Sequence, residues 1–169
     1  VTADRGITEQ AAMLRALELA ALGVRGANPL VGAVVLDRSG AVIGEGTHHG
    51  AGTPHAEPAA LADARRRGRD AAGGTMVVTL EPCSHSGRTG PCCEAVHAAG
   101  IRRVVYAAAD TNAEAAGGAA WLMCHGVECS GGTLAAAAGH LNSRWTRSIA
   151  ETRPFITLKT AGSLDGRVA

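Results

Sequence analysis

Apolar positions fall along the chain in blocks of two different periods. Over residues 8–22, Met13, Leu14, Leu17 and Ala21 recur at helical spacing behind a capping Thr8 and ahead of Gly23, which predicts an amphipathic helix. Residues 30–36 form a Val-rich apolar run. Asp37, Arg38, Ser39 and Gly40 are turn material, and a second strand over 41–46 completes a hairpin. Helical periodicity returns over 55–68, with Ala59, Ala60, Leu61 and Ala64 inward and Arg65, Arg66 and Arg67 outward. A short buried-type strand over 76–80 leads into a polar loop rich in Gly, Ser and Pro at 81–90. Pro91 then opens a helix to Ala99, stopped by Gly100. Strand 104–109, a Gly-rich helix over 117–125, strand 127–129, a long helix over 133–151 and a strand over 155–159 complete the pattern. Strands alternating with helices predict an α/β domain with helices on both faces of a largely parallel sheet.

Composition narrows this picture. The chain has 169 residues, including 35 Ala and 23 Gly but only four aromatics: Tyr106, Trp121, Trp145 and Phe155. The core must therefore be built from Val, Leu, Ile and closely packed Ala. With 16 basic and 15 acidic residues, the net charge of +1 excludes nucleic-acid binding by bulk electrostatics. No apolar run approaches the ~20 residues that span a bilayer, and the N-terminus lacks a signal-peptide pattern, so no membrane partner is expected and the cytoplasm is the expected location. Five cysteines in a reducing compartment argue against a disulfide framework.

The chemistry concentrates in two segments, Pro54-His55-Ala56-Glu57 and the stretch from Glu81-Pro82-Cys83 to Pro91-Cys92. Each places metal-ligand side chains at a strand-to-helix junction. A helix N-terminus favours the thiolate that a metal needs. One imidazole and two thiolates, from His55, Cys83 and Cys92, leave a fourth tetrahedral position for water, as in a catalytic zinc site. Glu57, two residues after His55, is placed to handle protons rather than to ligate.

This order of residues resembles the zinc nucleobase deaminases. Eight residues separate Cys83 from Cys92, and this insert is similar to that of the deaminase domain of the riboflavin-biosynthesis deaminase/reductases. The resemblance includes Asn28-Pro29-Leu30-Val31-Gly32, Gly44-Glu45-Gly46 with His48, Thr79-Leu80-Glu81-Pro82-Cys83, and Leu141-Asn142. Arg153-Pro154-Phe155, Lys159 and Ser163-Leu164-Asp165-Gly166-Arg167 resemble the segment that opens the family's reductase domain. The resemblance implies a three-layer α/β/α cytidine deaminase-like fold with a mixed, mostly parallel sheet. It further implies a zinc-dependent deaminase domain over 1–152 and the beginning of a reductase domain over 153–169.

The implied reaction is hydrolytic deamination of 2,5-diamino-6-(5-phosphoribosylamino)pyrimidin-4(3H)-one to 5-amino-6-(5-phosphoribosylamino)uracil. One Zn2+ is implied per chain, with Glu57 as proton shuttle, and NADP only where a reductase domain exists. By the same resemblance Asn28 and His48 contact the substrate, while His85 and Arg88 hold its ring or phosphate. A Gly-flanked loop carrying Arg, Thr and His beside a helix start suits a phosphate on chemical grounds too. The implied assembly is a homodimer or homotetramer.

Some positions depart from the family. Ala27 stands where Pro often precedes the Asn, Pro58 follows Glu57 in the first helical turn where it is tolerable, and Asp110-Thr111-Asn112-Ala113 replaces Asp-Pro-Asn-Pro, predicting a looser loop. Two rival readings stand beside the main one. One is a zinc deaminase for another base, of cytosine, guanine or tRNA-adenosine type, disfavoured for polynucleotides by the lack of an aromatic platform. The other is a non-catalytic zinc module, against which Glu57 argues. Cys93, Cys124 and Cys129 are read as buried small apolar residues, His97, His125 and His140 as structural, and His49 as exposed.

Overall fold

Thr8 caps the first helix as predicted: its hydroxyl oxygen accepts the Ala11 N–H at 3.2 Å, and α1 runs over Glu9–Ala21. The structure is a computed structural model that describes residues 6–85, 90–163 and 165–166. The hairpin follows as β1 (Gly32–Leu36) and β2 (Val42–Thr47), turned by Asp37, whose carboxylate accepts the Ser39 and Ala41 N–H groups at 2.8 and 3.0 Å. Beyond it come α2 (Ala56–Arg66), β3 (Thr75–Leu80), α3 (Cys92–Ala98), β4 (Arg103–Ala108), α4 (Gly118–Cys124) and β5 (Glu128–Gly131). Two short helices, α5 (Ala135–Leu141) and α6 (Ser143–Ala150), close the series.

The strands form one sheet in the order β2-β1-β3-β4-β5. β1 is antiparallel to both β2 and β3, while β3–β4 and β4–β5 are parallel. Strands β2 to β5 therefore share one direction, and β1 alone opposes them. The cause is local: a four-residue turn can only reverse the chain, whereas each later helix carries it back to start a strand in the same sense. The sheet is mixed for that reason.

Period-two alternation sorts the strand side chains into two cores. Ala33, Val35, Met76, Val78 and Val104 face α2, α3 and α4, whereas Val34, Leu36, Val77 and Val105 face α1 and α5. This gives the expected three layers. The many Ala and Gly residues do the packing. A β-carbon at Gly44 would sit 2.3 Å from the Ala60 carbonyl oxygen, and one at Gly46 would sit 2.2 Å from that of Ala56. Helix α2 thus lies directly on β2, with Ala56, Ala60 and Ala64 against the sheet.

Three expectations are corrected. The helix predicted over 133–151 is two helices, interrupted at Asn142 (φ −100°, ψ 10°). The strand predicted over 155–159 is not formed: Ile156 and Leu158 are 84% and 85% exposed in a stretch with no regular structure. Its alternating apolar sequence is strand-like, but no ladder partner among the described residues satisfies it. Cys124 is exposed at the end of α4, not buried; Cys93 is buried as expected and Cys129 is half-buried. No helix among the described residues is long and apolar enough to cross a membrane.

Candidate active site

Because β1 opposes its neighbours, the approach to β1 and the exits of β2, β3 and β4 all gather at one end of the sheet. Carboxyl ends of strands in α/β sheets are where ligand crevices form. Here the segments at that end carry Asn28, His48, His55, Cys83 and Asp110, and α2 and α3 start beside them.

His55 is the N-cap of α2, with extended backbone and no side-chain capping bond, so its imidazole is free to turn outward from the helix start. Cys92 is the first residue of α3, and Cys83 sits on the loop leaving β3. That loop is pinned to α3: the Cys92 N–H points at Cys83 Sγ (3.4 Å), and the Cys93 N–H donates to the Cys83 carbonyl oxygen (3.2 Å). His55 Nδ1 lies 3.2 Å from Cys92 Sγ and 3.6 Å from Cys83 Sγ. Ligand atoms of the three residues all lie within 4.8 Å of one another, a grouping of His, Cys and carboxylate side chains unique among the described residues.

These separations fit a zinc ion. Tetrahedral bonds of about 2.0–2.1 Å to nitrogen and about 2.3 Å to sulfur space N and S about 3.5 Å apart. The three side chains could hold the ion with one position left for water. Their own electrostatics agree with that use. The hydrogen-bonded Cys92 thiol, aided by His55 and the Cys92 N–H, brings the Cys83 thiol down to about 4. Cys92 is pushed well up by the same hydrogen bond and by burial. Without a cation, one proton stays between two sulfurs; a dication displaces it. The interaction with Cys83 also holds His55 above its usual range despite burial.

Glu57, in the first turn of α2, is 3% exposed. Burial pushes its carboxyl up to about 7, with the Cys83 charge adding to the effect and His55 opposing it. A carboxyl near neutrality both accepts and releases a proton at working pH. Pro58 beside it occupies the first turn, where its missing N–H costs nothing.

Asn28 and His48 meet. The Pro54 carbonyl oxygen 3.0 Å from His48 Nδ1 can only accept, so Nδ1 carries the proton and Nε2 is an acceptor. The Asn28 Nδ2 amide therefore donates to His48 Nε2 at 2.9 Å. This orients the Asn28 carbonyl oxygen as an acceptor for an N–H in the cavity. His48 is buried and packs edge-on to the His55 ring at 5.2 Å between centroids. The cavity has a volume of about 500 Å³, in the range of small-molecule sites, and is lined by Asn28, His48, His55, Glu57, Cys83 and His85, among others. His85 is exposed at its rim. Arg88 lies outside the described residues.

Other lining residues were not anticipated in a functional role. The Glu81 carboxylate accepts the Asp110, Gly117 and Ala119 N–H groups, each at 3.2 Å, tying the loop after β4 and the start of α4 to the Cys83 loop. Asp110 accepts the Asn112 N–H at 2.8 Å, so the 110–113 loop is closed by its own side chain rather than loosened by loss of proline. Burial holds the Asp110 carboxyl above its ordinary value. Trp145 and Ile149 reach the cavity from α6. Glu81 adjoins the Pro-Cys motif and was readable as part of it; nothing local in the sequence marks the α6 pair.

Residues 7–108 match the family model for the cytidine and deoxycytidylate deaminase zinc-binding region. Riboflavin biosynthesis protein RibD of Escherichia coli (strain K12) is 46% identical over 160 residues, 93% of this chain and 42% of that protein. RibD of Aquifex aeolicus (strain VF5) is 46% identical over 143 residues, 84% of this chain and 39% of that protein. A solved diaminohydroxyphosphoribosylaminopyrimidine deaminase/5-amino-6-(5-phosphoribosylamino)uracil reductase from Thermotoga maritima superposes with a TM-score of 0.84 at 40% identity. The match covers 95% of this chain and 46% of that one. The chain thus spans less than half the length of these relatives.

Proposed function

As the chain belongs to the family of the cytidine and deoxycytidylate deaminase zinc-binding region, we propose that it removes ammonia hydrolytically from 2,5-diamino-6-(5-phosphoribosylamino)pyrimidin-4(3H)-one in riboflavin biosynthesis. The observation that carries this reading is the juxtaposition of His55, Cys83 and Cys92 with a buried Glu57 on one cavity. A zinc ion bound there supplies Lewis acidity that makes water nucleophilic near neutral pH. The chain's own residues do the rest. His55, Cys83 and Cys92 are the metal ligands. Glu57 takes one proton from the attacking water and gives it to the ring nitrogen, then moves the second proton, from the hydroxyl so formed on the ring carbon, to the departing amine, so that the C–N bond breaks and a carbonyl remains. Asn28, oriented by His48, accepts from an amide or amine N–H of the ring, and His85 with Arg88 holds the phosphate-bearing end.

Finer expectations accompany this reading: residues 1–152 as the deaminase domain, and 153–169 opening a reductase domain, to which NADP would belong. The exposed apolar Phe155, Ile156 and Leu158 support the second, since such a strand-like segment needs a sheet to join. A cytoplasmic homodimer or homotetramer completes the proposal.

The test is ammonia release by zinc-loaded protein offered the diaminopyrimidinone ribosylamino phosphate, with cytidine, guanine and an adenosine-containing RNA in parallel. Turnover of the first alone is expected. Turnover of one of the others instead would replace the substrate assignment, and zinc binding with no turnover of any would favour a non-catalytic zinc module.

A further inference from the structure

Helix α6 buries no residue completely, yet Trp145 and Ile149, one turn apart on one face, are half-buried and both line the cavity that holds His55, Glu57 and Cys83. Of the chain's four aromatic residues, Trp145 is the one at this cavity, a single aromatic surface where the sequence pattern predicts none. Its position is set by a clamp at the break between α5 and α6. The buried Asn142 side chain accepts the Leu30 N–H at 2.8 Å and donates to the Leu30 carbonyl oxygen at 2.8 Å. Arg25 reinforces the junction by donating to the Leu141 carbonyl oxygen at 3.3 Å. Leu30 is two residues from Asn28, so the polar anchor of the cavity and the indole on α6 hang from the same pair of hydrogen bonds.

A planar, nitrogen-rich ring gains from lying against an indole face and an aliphatic side chain, while its edge finds a hydrogen-bond acceptor at right angles to that contact. We infer that Trp145, backed by Ile149, is the stacking wall that receives the heterocyclic ring of the substrate, and that Asn142 is the positioning residue that sets this wall against Asn28. The inference rests on the deaminase reading of the same cavity, and extends it to the residues that select a flat heterocycle.

Two measurements test it. In the zinc-loaded Trp121→Phe, Glu57→Gln protein, Trp145 is the sole tryptophan and turnover is too slow to disturb a titration; the removed Trp121 does not line this cavity and stacks on His125 at 3.7 Å. The diaminopyrimidinone ribosylamino phosphate is expected to change Trp145 emission saturably, and ribose 5-phosphate, which carries no pyrimidine ring, is not. In the otherwise wild-type enzyme, Trp145→Ala is expected to raise KM about 10- to 100-fold with kcat within a few fold, and Trp145→Phe to recover most of the loss. Ammonia release with neither an emission change nor a KM shift overturns the wall and leaves the deaminase reading intact. An emission change with no ammonia release from the zinc-loaded protein that retains Glu57 removes the deaminase reading and keeps the wall. If Trp145→Ala lowers thermal stability and zinc content while KM stays fixed, the residue is packing alone and the inference fails.

Discussion

Glu57 sits where two physical effects oppose each other. The free N–H groups of the first turn of α2 favour a carboxylate, and burial favours the neutral acid. Burial is the larger, and the carboxyl is pushed up to about 7 from an ordinary 4.5. The folded protein therefore keeps a proton that the unfolded chain has already lost. The associated stability is whole below about pH 4.5 and is lost as pH rises through about 7. In metal-free protein, the urea midpoint of the wild type should fall relative to that of Glu57→Gln across this window and level off above it. The difference reports Glu57 together with its coupling to His55, Cys83 and Cys92, which share its charge environment. A difference that stays constant with pH would contradict this account of the carboxyl. At this scale the sequence was legible wherever a side chain's placement depended on near neighbours: His55 with Glu57 on one turn, and Cys83 with Cys92 across one loop. Asn142 and Trp145 act on residues more than a hundred positions earlier in the chain, and no local pattern announces such a contact.

Elements are joined here by small residues rather than by large ones. The α2–β2 contact is backbone against backbone, with Gly44 and Gly46 under Ala60 and Ala56, and His55 and Glu57 flank Ala56 directly. Gly46→Ala must lift the start of α2 from the sheet. It is expected to cost about 1–3 kcal/mol and to weaken zinc binding, because His55 moves with the helix. Chemical denaturation and a competitive zinc titration would check both; unchanged zinc affinity in a destabilised protein would show that His55 does not depend on this contact. The hairpin, α1, α2 and the parallel strands were readable because period and turn chemistry agree there. The long final helix was misread because Ala135 to Leu141 and Ser143 to Ala150 are each compatible with helix, and only the Asn142–Leu30 bonds reveal the break. The strand expected over 155–159 has the right alternation without a partner, which a pattern along one chain does not disclose.

For the molecule as a whole, one reversed strand organises the function. Since β1 alone opposes its neighbours, the segment carrying Asn28 comes to the same end of the sheet as those carrying His48, Cys83 and Asp110, and α2 and α3 deliver His55 and Cys92 into the space between. The alternation of elements makes the three-layer class legible in sequence. The strand order is less so, because it depends on which edge of the sheet the hairpin occupies. The central claim is a division of labour at that end of the sheet: three side chains hold the metal, and Glu57 moves the proton. The most direct measurement is zinc content beside ammonia release for the wild type and Glu57→Gln, with the diaminopyrimidinone ribosylamino phosphate as substrate. The account predicts one zinc per chain in both proteins and a rate reduced at least about a hundredfold in the variant. Zinc lost from Glu57→Gln, or ammonia released by it at the wild-type rate, would contradict that division.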